Sequence, residues 1–146
     1  MTTDRDITWN WPDNAYGTIQ QAATLSSDLL GTPYGYGIYL PPSYNEETQQ
    51  RYPVLYWLHG YTSRPHYAGY FTERLDAAIR AQTAPEMIVV AVNGLYSAMF
   101  CNDASGLRPV ESVVIQELLP HIDATYRTIA RPEARALEGF SRGGFG

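Results

Sequence analysis

Hydrophobic positions along the chain follow two regimes. Up to Tyr44, aromatic and apolar residues alternate with polar ones around turn formers. From Pro53 onward, short continuous apolar runs are separated by stretches with helical spacing. In the first regime, Tyr16–Ser27 and Tyr34–Leu40 are expected to be strands separated by a turn at Leu30-Gly31-Thr32-Pro33. Pro41-Pro42 should end the second, because proline has no N–H to give to a ladder. In the second regime, Pro53–Leu58, Met87–Val92 and Ala134–Phe140 have the length and character of strands covered on both faces. Between the first two, Phe71, Leu75, Ala78 and Ile79 recur at helical spacing. Between the second and third, Val110, Val113, Val114, Leu118, Ile122 and Tyr126 mark a longer helix, with a kink expected at Pro120. Strand, helix, strand, helix, strand is the pattern of a parallel sheet with crossover helices, so the expected class is α/β.

Composition narrows the functional classes. The chain has 146 residues, is 45% hydrophobic and 17% charged, and carries a net charge of -5. That suffices for a buried core and excludes a disordered tail. The ten cations are all arginine, scattered from Arg5 to Arg142 without a run, which argues against nucleic acid or an anionic membrane as partner. Cys101 is the only cysteine, so neither an internal disulfide nor a multi-cysteine metal site is available. The opening MTTDRDITWNW lacks the basic-then-apolar layout of a signal peptide, and no apolar run is long enough to span a membrane. A soluble protein is expected, with secreted and cytoplasmic locations both open. No repeat, linker or composition shift divides the chain, and 1–146 reads as one unit: N-terminal strands over 1–44, then βαβαβ over 53–146.

The chemistry concentrates at the end of the third apolar run. Gly139, Ser141 and Gly143 form G-x-S-x-G directly after it, the setting a nucleophile elbow requires. A serine pushed out on a sharp strand-to-helix turn needs neighbours without bulk two residues to either side, and glycine meets that need. A helix starting after Ser141 would direct its first N–H groups at charge developing on a substrate oxygen. The plain alternative is a glycine-rich turn with an incidental serine; placement at a strand end favours the elbow. The other stretch is Leu58-His59-Gly60-Tyr61, at the carboxyl end of the first apolar strand, where sites form in open α/β sheets. Here the backbone N–H of Tyr61, paired with that of Arg142, is the functional candidate, and His59 reads as a packing or loop-shaping residue.

The segments Gly37–Tyr44 (GIYLPPSY), Tyr52–Gly60 (YPVLYWLHG), Glu117–Arg127 (ELLPHIDATYR) and Gly139–Gly146 (GFSRGGFG) resemble, in order, the putative-esterase family of α/β-hydrolases. That family includes feruloyl and acetyl xylan esterases of carbohydrate esterase family 1, S-formylglutathione hydrolase (esterase D), enterochelin esterases and mycolyltransferases. The tyrosine-rich entry and Val92-Asn93-Gly94 look most like the feruloyl and acetyl xylan group. The resemblance implies an α/β-hydrolase fold cut after the nucleophile elbow, with Ser141 as nucleophile and the amides of Tyr61 and Arg142 as oxyanion hole. It also implies ester cleavage through an acyl-enzyme, with no metal or organic cofactor. Arg142 departs from the family, where an apolar residue such as methionine is common. The family's triad acid and histidine follow the nucleophile, and no such residues follow Ser141 here.

His66, in the loop after the first apolar strand, could reach substrate, but nothing orients it as a base; His121 reads as a helix-surface or packing residue. His66, Tyr67, Tyr96 and Phe100 are candidates for a substrate pocket, alongside ordinary burial. Cys101 has no basic sequence neighbour and reads as a buried or half-buried structural thiol. Asp103 and Asp123 suit loop capping and a helix surface. Little hydrolase turnover is expected from the chain alone, because serine is a weak nucleophile without an adjacent base. Two other readings remain: a non-catalytic product that associates through an exposed sheet edge, with itself or with a missing C-terminal half, and an acyltransferase of the same fold.

Overall fold

A computed structural model describes residues 20–61, 63, 65–95 and 99–146. They build one five-stranded mixed sheet from β1 (Gln20–Ser27), β2 (Thr32–Tyr39), β3 (Val54–Leu58), β4 (Ile88–Val92) and β5 (Arg135–Gly139), in the order β1-β2-β4-β3-β5. The hairpin β1–β2 joins β4 antiparallel, whereas β3 pairs parallel with β4 on one side and with β5 on the other. The expected strands are all present within a residue or two, except that the part of the first expectation before Gln20 lies outside the described residues.

Alternation along the strands sorts side chains onto two apolar layers. On one, Val54, Tyr56 and Leu58 of β3 and Ile88, Val90 and Val92 of β4 pack against the helical segment 110–125. On the other, Trp57, Val89 and Ala91 pack against α1 (Ala68–Arg80), where Ile79 is buried and Phe71 and Leu75 are partly buried. Helices on opposite faces are what right-handed crossovers demand when the chain steps from β3 to β4 and then back over β3 to β5.

The second helical segment is α2 (Val110–Val113), a π turn (Val114–Leu118) and α3 (Leu119–Thr125). Its buried residues Val110, Val113, Leu118 and Ile122 are those the spacing marked. The irregularity expected at Pro120 falls just before it, as widening. Proline cannot donate to the carbonyl four residues back and its ring crowds that carbonyl. The Leu119 N–H instead reaches the Val114 carbonyl, five residues back.

A correction concerns β5. Its residue types suggested a strand covered on both faces, whereas Leu137 is 67% exposed; its outermost position beside β3 is that of the exposed sheet edge expected for this chain. Both helical layers lie over β4 and β3 and leave β5 largely uncovered. Among the described residues no helix is long and apolar enough to cross a membrane.

Candidate active site

The carboxyl ends of β3 and β5 lie side by side because the two strands pair in register to the end, Leu58 opposite Gly139. The loops that leave them are stitched together at once. Phe140 donates its N–H to the Leu58 carbonyl at 3.1 Å, and Gly143 donates to the Phe140 carbonyl at 3.0 Å. Ser141 stands between these bonds at φ +55°, left-handed backbone that a non-glycine residue adopts only when its surroundings impose it.

What imposes it is the approach of the two motif glycines. A Cβ on Gly139 would overlap the Gly143 carbonyl, and a Cβ on Gly143 would overlap the carbonyl of Leu58. The spacing G-x-S-x-G is thus a packing requirement of the turn: strand end, serine and the start of the next turn converge with room for no side chain at either flank. A 3-10 turn over Ser141–Gly144 follows the serine, where a regular helix had been expected. Gly60 completes the closure, since a Cβ there would come within 3.1 Å of the Phe140 ring.

The adjacent loop after β4 is held by buried polar groups that residue spacing did not single out. The Tyr34 hydroxyl accepts from the Asn93 N–H at 2.9 Å and donates to the Asn93 carbonyl at 2.8 Å, and the Asn93 side chain accepts from the Leu95 N–H at 3.0 Å. Burial pushes the Tyr34 hydroxyl far above its ordinary pKa, so it stays a protonated hydrogen-bonding group. His59 is buried and bridges the loops after β3 and β4. The Gly94 N–H donates to Nε2 at 3.1 Å, which leaves Nδ1 as the protonated nitrogen, donating to the Gly60 carbonyl at 2.9 Å. With both ring nitrogens engaged and Phe100 edge-on at 5.1 Å, His59 shapes the loop, as its sequence position suggested.

Arg142, directly after the serine, lays its guanidinium on the Tyr61 ring with Cζ 4.2 Å from the centroid. The two residues whose amides were singled out as an oxyanion pair are therefore in contact through their side chains. Tyr61 is exposed, and so are Tyr67 and Tyr70, whose rings lie 6.4 Å apart at the start of α1. His66 lies in the 3-10 turn Pro65–Tyr67, but its side chain is outside the described residues, as is Tyr96 altogether. Phe100 is buried against His59, Gly94 and Gly146, and one side of it lines a groove of about 570 Å³ with Leu58, Val114, Ile115, Leu137 and Phe145. Ser141 does not line that groove, to which β5 contributes Leu137.

The remaining candidates are placed away from the serine. Cys101 is exposed, contrary to the buried thiol expected, because it sits in a surface loop at the groove rim. His121 Nε2 on α3 is hydrogen-bonded to the Tyr36 hydroxyl at 2.9 Å, and partial burial pulls its pKa below the usual histidine value. Asp103 caps its own loop by accepting from the Arg108 N–H and the Ser105 hydroxyl. Asp123 accepts from Thr128 at 2.7 Å and pairs with Arg135 at 2.5 Å, tying α3 to the start of β5. No cluster of His, Cys, Asp and Glu among the described residues could hold a metal ion.

Residues 27–146 match the model of the family described as "Putative esterase". The chain belongs to that esterase family. An esterase of Mycobacterium tuberculosis is 34% identical over 126 residues, covering 84% of this chain and 26% of the relative. An endo-1,4-beta-xylanase/feruloyl esterase of Xylanibacter ruminicola is 33% identical over 150 residues, covering 97% of this chain and 20% of the relative. Among solved structures, a ferulic acid esterase superposes with a TM-score of 0.73 at 30% identity, over 86% of this chain and 51% of that one. The fold is also that of an S-formylglutathione hydrolase from Agrobacterium tumefaciens, with a TM-score of 0.66 at 18% identity over 89% of this chain and 51% of that one. The esterase fold is thus the α/β-hydrolase fold, and this chain spans about half the length of these solved relatives.

Proposed function

We propose that Ser141 is the nucleophile of a carboxylic ester hydrolase of the feruloyl or acetyl xylan type. The observation that carries this reading is the left-handed Ser141 at the carboxyl end of β5, held between two glycines that tolerate no Cβ. Such strain costs on the order of 1–3 kcal/mol and has no evident structural use in a surface turn. A nucleophile presented at the strand ends gives it one. In the proposed reaction Ser141 Oγ attacks the ester carbonyl and the amides of Tyr61 and Arg142 hold the resulting oxyanion. The alcohol leaves with the proton taken from the serine, and water then hydrolyses the acyl-enzyme. Loss of one oxyanion donor typically costs about 3 kcal/mol in the transition state. The xylanase/feruloyl esterase relative and the ferulic acid esterase structure favour acyl or feruloyl esters on plant polysaccharide as the substrate class.

Neither His59, with both nitrogens engaged, nor His121, bonded to Tyr36 on α3, serves as the base in this reading. Nothing in the sequence orients His66 as a base, so this reading takes the histidine from outside residues 1–146, as the resemblance implies, and the chain alone turns over slowly. Hydrolysis of p-nitrophenyl acetate by the chain and by Ser141→Ala tests this. Turnover close to that of a complete esterase and lost in Ser141→Ala would overturn the need for an outside base. Identical reaction of the two proteins at every time scale would overturn Ser141 as nucleophile.

The second reading, association through β5, is favoured by the open side of that strand and by Leu137, Phe140 and Phe145, all more than two-thirds exposed. Size-exclusion chromatography with light scattering decides it: a monomeric mass at every concentration up to about 1 mM removes it.

A further inference from the structure

We propose that His59 is a positioning residue for the ester reaction: its imidazole, spanning from the Gly94 N–H to the Gly60 carbonyl, aims the Tyr61 N–H at the oxyanion. This rests on the esterase reading above. The Gly60 carbonyl and the Tyr61 N–H belong to one peptide unit, planar and trans. The two point in opposite directions, so whatever holds the carbonyl also aims the N–H. Two donors hold it, His59 Nδ1–H at 2.9 Å and the Ser63 N–H at 3.2 Å, and a carbonyl oxygen has a lone pair for each. They differ in what stands behind them. The Ser63 bond closes a turn inside the loop and moves with it. Gly60 packing on the Phe140 ring bears on the position of its Cα, not on the rotation of the peptide plane. The His59 bond ties that plane to a neighbouring strand.

The neighbouring strand end is a firm reference. β4 is paired on both sides, with β2 and β3. Just beyond it, both backbone groups of Asn93 are bonded to the Tyr34 hydroxyl, and the Asn93 side chain accepts from the Leu95 N–H. Gly94 lies between these held residues and donates to His59 Nε2 at 3.1 Å; a Cβ on it would overlap the Phe100 ring. The same ring stands edge-on to the imidazole, and Phe100 has left-handed backbone at φ +57°, which a bulky residue adopts only under constraint. His59 is 1% exposed, and its flat ring accepts on one side and donates on the other. It therefore carries a fixed distance from the end of β4 to the Gly60–Tyr61 peptide.

The test is single acylation of the full 146-residue chain by excess p-nitrophenyl acetate, followed by intact mass and peptide mapping. The Ser141 Oγ–acetyl bond forms, the aryl ester C–O bond breaks, p-nitrophenolate leaves and the serine proton passes to buffer. An asparagine amide falls near the place of Nδ1 and can donate to the Gly60 carbonyl. A glutamine amide falls near that of Nε2 and leaves the carbonyl to Ser63 alone. His59→Gln and His59→Ala are each expected to lower the maximal acylation rate about tenfold, part of the 10²–10³ that losing an oxyanion donor outright would cost, while His59→Asn stays within about threefold of wild type. The half-saturating ester concentration should change little. Tyr36→Phe removes a buried hydrogen bond, to His121, away from these loops. It should lower the unfolding midpoint and leave the acylation rate unchanged. A merely structural role for His59 would give the same pattern in its own variants, and that result overturns the proposal. So would His59→Asn as slow as His59→Gln, or Tyr36→Phe as slow as either. If His59→Ala fails to fold by circular dichroism, the asparagine and glutamine variants carry the comparison. Absence of Ser141 labelling in the wild-type chain overturns the esterase reading and this proposal with it, whereas labelling indifferent to residue 59 overturns this proposal alone.

Discussion

Gly143 has no room for a Cβ, and its replacement by alanine gives a prediction with an internal control. A Cβ at Gly143 would overlap the Leu58 carbonyl oxygen, a backbone atom at the end of the β3–β5 pairing that the Phe140 N–H bond holds in place. Relief requires the elbow to lift off β3. That strains or breaks two bonds, Phe140 N–H to the Leu58 carbonyl at 3.1 Å and Gly143 N–H to the Phe140 carbonyl at 3.0 Å. At about 1 kcal/mol net for each bond, plus about 1–3 kcal/mol for overpacking a close-packed contact, the cost is about 3–5 kcal/mol. Gly144 is the control. Its neighbour in the same turn has no room, but a Cβ on Gly144 itself would meet the Gly139 carbonyl at an ordinary 3.6 Å. Gly144→Ala should be neutral or slightly stabilising, since alanine has less backbone freedom to lose on folding.

Urea unfolding followed by tryptophan fluorescence reads both, because Trp57 is buried on β3 directly opposite Glu138 of β5. With a urea slope of about 2 kcal/mol/M, the Gly143→Ala midpoint should fall by roughly 1.5–2.5 M while Gly144→Ala stays within about 0.3 M of wild type. Equal midpoints for the two variants would refute the packing account of G-x-S-x-G and leave the motif's glycines without a structural reason.

Two further predictions concern titrating groups. His121 is harder to protonate in the fold than in the unfolded chain, so the unfolded state binds the proton first as pH falls and native stability should drop below pH 6.5. The melting temperature should therefore fall between pH 7.5 and 5.5, and His121→Gln should remove that part of the slope. Glu138 has the opposite sign. Desolvation raises its carboxyl pKa above 4.5 and one oxygen is buried without a hydrogen-bond partner, so native stability is lost as pH rises through that range. Glu138→Gln should raise the melting temperature at pH 7; a fall would mean that the carboxylate has a favourable partner.

Legibility from sequence divided along physical lines. The three parallel strands and the buried faces of both helical segments were readable because burial is written in residue type at a fixed period. The elbow was readable because a strained turn demands glycine at set offsets. The edge position of the strand ending at Phe140 was expected from the resemblance, not from its residue types: Ala136 and Leu137 are core-like, and apolarity does not say which strand is outermost. Pro120 announced a disturbance but not its form, since a missing donor can be met by bending or by widening the helix. The web of Tyr34, Asn93, His59 and Gly94 was out of reach because it joins residues distant in sequence through single hydrogen bonds. So was the Arg142–Tyr61 stack, which joins two loops about eighty residues apart.

The open face of β5 sets a limit on how strongly the chain can associate with itself. Leu137, Phe140 and Phe145 are 67%, 68% and 84% exposed. Fully burying such a side chain contributes about 1.5–3 kcal/mol, so the three supply on the order of 3–6 kcal/mol per chain and twice that in a symmetric dimer. Association costs about 4–15 kcal/mol in lost freedom before any contact is counted. The apolar term therefore comes close to cancelling that cost. Net attraction must come from pairing the free edge of β5, at about 0.5–1.5 kcal/mol for each hydrogen bond formed. A strand of five residues offers few such bonds, which places self-association in the micromolar to millimolar range. Light scattering should accordingly show a mass that rises with concentration, and the double variant Leu137→Asp/Phe145→Asp, which leaves the backbone edge intact, should stay monomeric. If that variant associates as the wild type does, the edge alone drives pairing and the apolar face has no part in it.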